Sequence, residues 1–501
     1  MKQKGRVILT SVLTALAVLT TLGLCAVRVG FVFVDHYVFD GFCYILWALF
    51  IVNTIVLFFQ LRGRILENKL YNKIVLIINI ALEVLNIVCI AAFLIIGNDD
   101  LMDYLYVSFE TLPYLAAFYA LLFFTVILPV SHKVLHKVTA CVVAAAIVIS
   151  AVAFLFPAGG FGFEGAPAVF DTGDGYHIVF ATNRASVGYV KLGDEILWDT
   201  FAGRKESSRI HSIEVSYEAL DNNEYSIGAI RAIEDIAYGG HLGKEITLKA
   251  GTFTPCPEDD FDMTCITDNH SCRPDWKKIG EDADIYVFLG DISSGVYSVD
   301  SIIDNLIVPA GGVSGGVKPV IYTLGNHDHR GSKVQTLLES LDFGDYYYRL
   351  NVGKYNFTVL DSGEDKEDEN YEYAGYNAFA PYFAEQIEWA KALEKESGYN
   401  VIITHSPAIY FEPDGNPTPM AEIMRNLGEE FVICGHNHTA TFISAEESST
   451  GITTYICGAK ADPHEIVYTR MHFNEGVIDI KSRNTQGEII NTQQFQLTLA
   501  E

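Results

Sequence analysis

The chain has 501 residues, half of them hydrophobic, and carries 62 acidic against 34 basic side chains, a formal net charge of −28. That balance argues against a binder of nucleic-acid backbones, which needs a cationic face, and 12% aromatic residues argue against general disorder. A mean hydropathy of +0.22 is high for a chain this long and directs attention to apolar segments.

Those segments lie in residues 1–156, which hold ten basic and eight acidic side chains, whereas the remainder carries −30. A bilayer crossing takes about 20 mostly apolar residues. Five stretches meet that length: 7–29, 42–61, 74–96, 112–130 and 138–156. A buried soluble bundle would keep a polar stripe, and these stretches have none. Lys2, Lys4 and Arg6, then Arg62, Arg64, Lys69 and Lys73, then Lys133 and Lys137 fall in alternate connections. Basic connections stay cytoplasmic. The expectation is a multi-pass protein of the cell membrane, its N-terminus cytoplasmic and everything after Phe156 extracytoplasmic. No cleavage site of the small-x-small kind follows the first stretch, so it is read as an uncleaved anchor.

Residues 157–162, Pro-Ala-Gly-Gly-Phe-Gly, read as a flexible exit. Short β-type runs follow at 176–182, 186–192, 209–216, 224–233 and 245–253, separated by turn formers. This spacing predicts a small antiparallel sandwich over 163–255. His177, His211 and His241 have no metal-ligand spacing and read as structural or surface residues.

From residue 260 the pattern changes. Apolar runs at 261–267, 283–290, 318–325, 400–404 and 430–435 each deliver Asp, Asn or His at the C-terminal end. The delivered residues are Asp268-Asn269-His270, Asp291, Asn326-His327-Asp328, His405 and His436-Asn437-His438. Residues 332–341 and 380–396 have helical periodicity. Oxygen and nitrogen ligands of this kind suit Mn, Fe or Zn. Asp268 with His270, and His436 with His438, are expected to point together from extended strand ends. Asp291 can bridge two ions through its two oxygens. Two such ions can clamp a phosphoryl group and activate a water.

The ordered segments TDNH, GD, GNHD, the His of ITHSP and GHNH resemble the calcineurin-like metallophosphoesterase superfamily, over residues 260–485. The resemblance implies an α/β two-sheet sandwich with a dimetal site at one edge. It implies that Asp268, His270, Asp291 and His438 hold one ion. Asp291, Asn326, His405 and His436 would hold the other. His327 would act at the leaving group, with Asp328 orienting it. In-line attack by a metal-bound hydroxide is the implied reaction. The segment before it resembles the N-terminal, fibronectin-III-like domain of purple acid phosphatases. Those enzymes place a Tyr ligand three residues after the Asp of the second motif, where this chain has Ser294, and their first motif lacks a His like His270. The implied ligand set is therefore that of the general metallophosphoesterases.

The fold expected overall is an α-helical transmembrane bundle over 1–156, a β-sandwich over 163–255, then the α/β sandwich. The function expected is hydrolysis of small phosphomonoesters or phosphodiesters, with no nucleic-acid partner. The alternatives are a non-catalytic phosphate-ligand receptor or scaffold, and a membrane signalling or transport protein with an accessory phosphoesterase domain. Basic residues near the motifs are few: Arg273, Arg330 and Lys460. Arg330 is open to two readings, a substrate-oxygen ligand or a loop ion pair. Cys256 and Cys272 flank the first motif strand and could pair outside the cell.

Overall fold

The structure is a computed structural model that describes residues 161–234, 241–280, 283–373, 375–408, 419–462 and 464–500. The first strands are β1 (Ala168–Asp171), β2 (Tyr176–Leu192), β3 (Glu195–Trp198), β4 (Thr200–Phe201), β5 (Arg204–Lys205), β6 (Ser208–Val215), β7 (Glu224–Glu234) and β8 (His241–Thr252). Then come β9 (Asp260–Ile266), β10 (Ile285–Phe288), β11 (Pro319–Tyr322), β12 (Tyr348–Val352), β13 (Tyr355–Val359), β14 (Tyr399–Ile403) and β15 (Phe431–Cys434). The last are β16 (Ala440–Ile443), β17 (Thr453–Cys457), β18 (Lys460–Asp462), β19 (Glu465–Asn474), β20 (Val477–Asn484) and β21 (Ile489–Gln496).

Two sheets form the centre. One runs β21-β20-β19-β9-β10-β11-β1-β2-β7-β8, and the other β12-β13-β14-β15-β17-β16. The motif strands β9, β10 and β11 are parallel, as are β13, β14, β15 and β17. Parallel strands are covered on both faces, which is why their sequences read as unbroken apolar runs. The period of two decides which side chain goes where. Met263, Cys265, Ile285 and Val287 face Phe357, Val401, Phe431 and Ile433 across the inter-sheet core. Their neighbours Ile266, Tyr286 and Phe288 turn outward into a second core with the segment 299–314 and the helix Val334–Leu341. Ile402, Val432 and Cys434 pack the other sheet against the helices Phe379–Ala392 and Pro419–Leu427. The result is four layers, helix, sheet, sheet, helix. The C-terminal ends of the parallel strands of both sheets come out along one edge.

The expected fold class needs correction on two points. Among the described residues no helix is long and apolar enough to cross a membrane. The described residues form a β-rich α/β fold built on two sheets. The five stretches read as a transmembrane bundle lie outside the described residues. The segment 163–255 also does not close into a sandwich of its own. Strand β1 pairs in parallel with β11, Val169 opposite Pro319 and Phe170 opposite Val320. This pairing fuses β1, β2, β7 and β8 onto the motif sheet, and Phe161–Ile233 with Leu242–Glu501 form one compact unit. Runs expected as two strands, 176–182 and 186–192, are one 17-residue strand, β2. Its first half pairs with β6 and its second with β7, with a register break between Ala181 and Ser186.

Candidate metal centre

Each motif residue sits in the loop that follows its strand, and those loops meet at the sheet edge. Their backbone is not extended there. Asp268, His270, Asp291, His436 and His438 all have positive φ, between 38° and 70°. Left-handed backbone is uncommon for non-glycine residues, tolerated best by Asn, Asp and His, and costs on the order of 1–3 kcal/mol per residue. The convergence of Asp268 with His270 and of His436 with His438 therefore comes from tight left-handed turns and not from the alternation of an extended strand.

Two groups of side chains form around Asp291. Its Oδ2 lies 3.8 Å from His270 Nε2, and its Oδ1 lies 3.5 Å from His405 Nε2. On the first side, His270 Nε2 is 3.2 Å from His438 Nε2, and His438 Nε2 is 3.2 Å from Asp268 Oδ1. On the second side, the Asn326 Oδ1 atom is 3.2 Å from both His405 Nε2 and His436 Nδ1. The structure thus gathers all seven expected ligands into two sets that share one carboxylate.

Several atoms of this cluster suit a cation. Asp268 Oδ1 is buried without a well-formed hydrogen bond. Two imidazole nitrogens, His270 Nε2 and His438 Nε2, face each other at hydrogen-bond distance. The His405 Nδ1 atom lies 2.6 Å from the Leu289 carbonyl oxygen, which makes it the donor and leaves Nε2 as the lone pair aimed inward. Burial pushes His270 and His436 below the ordinary imidazole range, so they rest neutral with lone pairs to offer. Burial would lower His405 too, but the Asp291 charge outweighs it and raises His405 to about 10. Asp291 in turn is held below the usual carboxylate range by His405, against the effect of its own burial. A cation between the two would replace that proton. The donor set of three carboxylate or amide side chains and four imidazoles fits Mn, Fe or Zn.

The supports are equally local. Asp268 Oδ2 accepts from Thr267 Oγ1 at 2.7 Å and from the His436 backbone N–H at 2.8 Å, tying the first and last motifs together. Gly325 abuts Asp291, where a Cβ would come within 2.3 Å of the Asp291 nitrogen and Oδ1. Asp328 does not touch the His327 ring as expected. Its carboxylate accepts the backbone N–H groups of Asp291 and Gly325 at 2.9 Å and of Ile292 at 3.2 Å. The 3-10 turn Asn326–His329 swings this side chain back under the loop, so Asp328 staples two motif loops. His327 instead has Nδ1 at 3.2 Å from the Ser294 carbonyl oxygen, and its backbone N–H donates to Asp291 Oδ1 at 2.8 Å.

Glu364 and Asp365 line a small cleft with Asn326, His405 and His436. Strand β13 is followed by Asp361-Ser362-Gly363-Glu364-Asp365, a further polar segment just past a strand end. His211 is buried, with Nδ1 2.7 Å from Asp199 and Nε2 2.9 Å from Ser186. The order resembles a nucleophilic triad, but Ser186 is wholly inaccessible, so the array is structural. Cys256 and Cys272, which the sequence offered as a possible pair, are not joined by a disulfide among the described residues.

Residues 262–440 match the family model described as calcineurin-like phosphoesterase, and this segment is a calcineurin-like metallophosphoesterase domain. That family match implies a dinuclear metal centre. Among solved structures, the purple acid phosphatase PPD1 from seeds of yellow lupin (Lupinus luteus) is 12% identical, with 66% of this chain and 74% of that chain covered and a TM-score of 0.41. A structure of PhoD is also 12% identical, with 68% and 90% covered and a TM-score of 0.39. No curated protein matches the chain.

Proposed function

We propose that the chain hydrolyses small phosphoesters, monoesters or diesters, at the Asp291 centre. The family match supports a metal-dependent phosphoesterase. The observation that carries the finer reading is the shared carboxylate: Asp291 presents one oxygen to His405 and the other to His270, at the meeting of two ligand sets. Asp268, His270, Asp291 and His438 would hold one ion and Asp291, Asn326, His405 and His436 the other. Such ions supply positive charge for phosphoryl oxygens and acidify a water. The chain's own residues do the rest. Asp328 and Gly325 fix the distance between the Asp291 and Asn326 loops. His327, beside the bridging carboxylate, is placed to exchange a proton with the leaving oxygen.

The small-substrate reading is supported by where the cations go. Arg273 is engaged by Asp304 at 2.6 Å, Lys460 donates to the His270 carbonyl at 3.2 Å, and Arg330 is engaged by Glu364 at 2.5 Å. Each of the three has a partner within the protein, and the chain as a whole carries a net charge of −28. A long polyanion meets repulsion there, whereas a single phosphoryl group can be held by the centre itself. The test is a screen of the purified full chain, chelated and then supplied with Mn²⁺, Fe²⁺ or Zn²⁺, against nucleotides, sugar phosphates, diesters and DNA. Metal-restored hydrolysis of small esters is the expected result. Absence of hydrolysis with every ion and ester would refute the reading.

A further inference from the structure

The loop after the third motif holds a charged cluster that the ligand set does not use. Arg330 Nε donates to Glu364 Oε1 at 2.7 Å, and Arg330 Nη2 donates to Glu364 Oε2 at 2.5 Å. This is a two-pronged pair, and the Glu364 side chain is 1% exposed. The Tyr373 hydroxyl also donates to Glu364 Oε2, at 2.9 Å, and the Arg330 guanidinium lies 5.7 Å from the centre of the Tyr373 ring. A planar guanidinium used in this way has its orientation fixed. Its remaining nitrogen, Nη1, lies 3.4 Å from His327 Nε2. The other ring nitrogen of His327 faces the Ser294 carbonyl.

The backbone repeats the arrangement. The Val296 N–H donates to the Arg330 carbonyl at 2.6 Å, and the Arg330 N–H donates to the His327 carbonyl at 3.2 Å. Arg330 thus joins three loops, the ones after β10, β11 and β13. Its donors are directed into the protein, at Glu364, Asp365 and His327, and a substrate phosphate would have to displace a buried carboxylate to reach the fork.

The geometry assigns Arg330 as a positioning residue: held by Glu364 and Tyr373, it sets the orientation of the His327 ring against Ser294, and it is not the anchor of the substrate phosphate. This rests on the phosphoesterase reading for its kinetic consequence, but the ring orientation is independent of it. Removing Arg330 alone would strand a buried carboxylate, so the principal variant is the double change R330M/E364M, accompanied by R330K.

Two readouts decide the matter on the full chain. The first is the set of imidazole nitrogen and carbon-bound proton resonances, with the His327 signals identified by their loss in His327→Asn. In R330M/E364M the His327 signals should shift while those of buried His211 stay, which reports an intact fold. Unchanged His327 signals would overturn the assignment. The second, with Mn²⁺ supplied, is the hydrolysis of p-nitrophenyl phosphate and its inhibition by inorganic phosphate. The expected result is a kcat about tenfold lower, with KM and the inhibition constant within about threefold of the parent. R330K, a point charge without the fork, should not restore kcat. A raised KM and weakened phosphate inhibition with kcat retained would make Arg330 the phosphate anchor and overturn the assignment, as would full activity in R330K. A parent chain with no hydrolysis would refute the phosphoesterase reading, and the resonances would still decide the positioning.

Discussion

Asp291 Oδ1 and His405 Nε2 face each other at 3.5 Å in a fully buried setting, with the far side of the His405 ring committed to the Leu289 carbonyl. Two lone-pair atoms so placed need a positive charge between them, a proton or a metal ion. Metal binding should therefore compete with protons and stabilise the folded chain. At a free ion concentration about 100-fold above Kd, the expected gain is roughly 2.7 kcal/mol, read as a rise in Tm with Mn²⁺ or Zn²⁺. The gain should shrink on acidification as protons compete for the same atoms. A Tm indifferent to every such ion would count against the centre.

Gly325→Ala should be unexpectedly harmful for so small a change. The added carbon would sit 2.3 Å from the Asp291 nitrogen and Oδ1, both in a buried loop with no room to retreat. Overpacking of this kind costs about 1–3 kcal/mol, and here it displaces the shared carboxylate. Chemical denaturation should show that loss, and bound metal should fall with it. A stable, fully metallated variant would show that the two loops can separate.

A buried carboxyl far from the centre predicts a stability slope. Burial, only partly offset by Thr358 and Arg349, pushes Glu429 from an ordinary 4.5 to about 7. Between those values the folded chain keeps a proton that the unfolded chain releases. Stability therefore falls as pH rises from about 4.5 to about 7, by on the order of 3 kcal/mol from this group, and is level above. Glu429→Gln should remove that part of the slope, whatever its absolute stability. Parallel wild-type and variant curves across pH 4.5–7 would contradict the assignment.

Ser294 gives an optical test. It stands where purple acid phosphatases carry a tyrosine ligand, and its carbonyl faces His327. Iron-loaded protein should lack an intense tyrosinate-to-Fe(III) band in the visible spectrum. Its appearance would mean that another tyrosine reaches the centre.

Much of the site was legible because a parallel strand buried on both faces can show polar chemistry only where it ends. Asp268, Asp291, Asn326, His405 and His436 each follow such a run, so their order along the chain maps onto one sheet edge. Backbone handedness was not legible, since nothing in Thr-Asp-Asn-His announces φ values of 48° and 38° at Asp268 and His270. Nor was the role of Asp328, because its neighbour in sequence is His327 while its neighbours in space are three backbone N–H groups. The merging of residues 163–255 into the motif sheet depends on a four-residue strand, β1, and periodicity cannot say which edge so short a strand will choose.

Asp291 is the proposed bridge between the two metal positions. The most direct measurement is bound metal per chain, together with phosphoester hydrolysis, for the wild type and Asp291→Asn prepared side by side. Two ions in the wild type are predicted, with hydrolysis that chelation abolishes and added metal restores. The variant should lose most of its metal and at least about 100-fold in rate, since one change weakens both positions. Two ions and near-normal hydrolysis in Asp291→Asn, or undiminished hydrolysis by metal-free wild type, would contradict it.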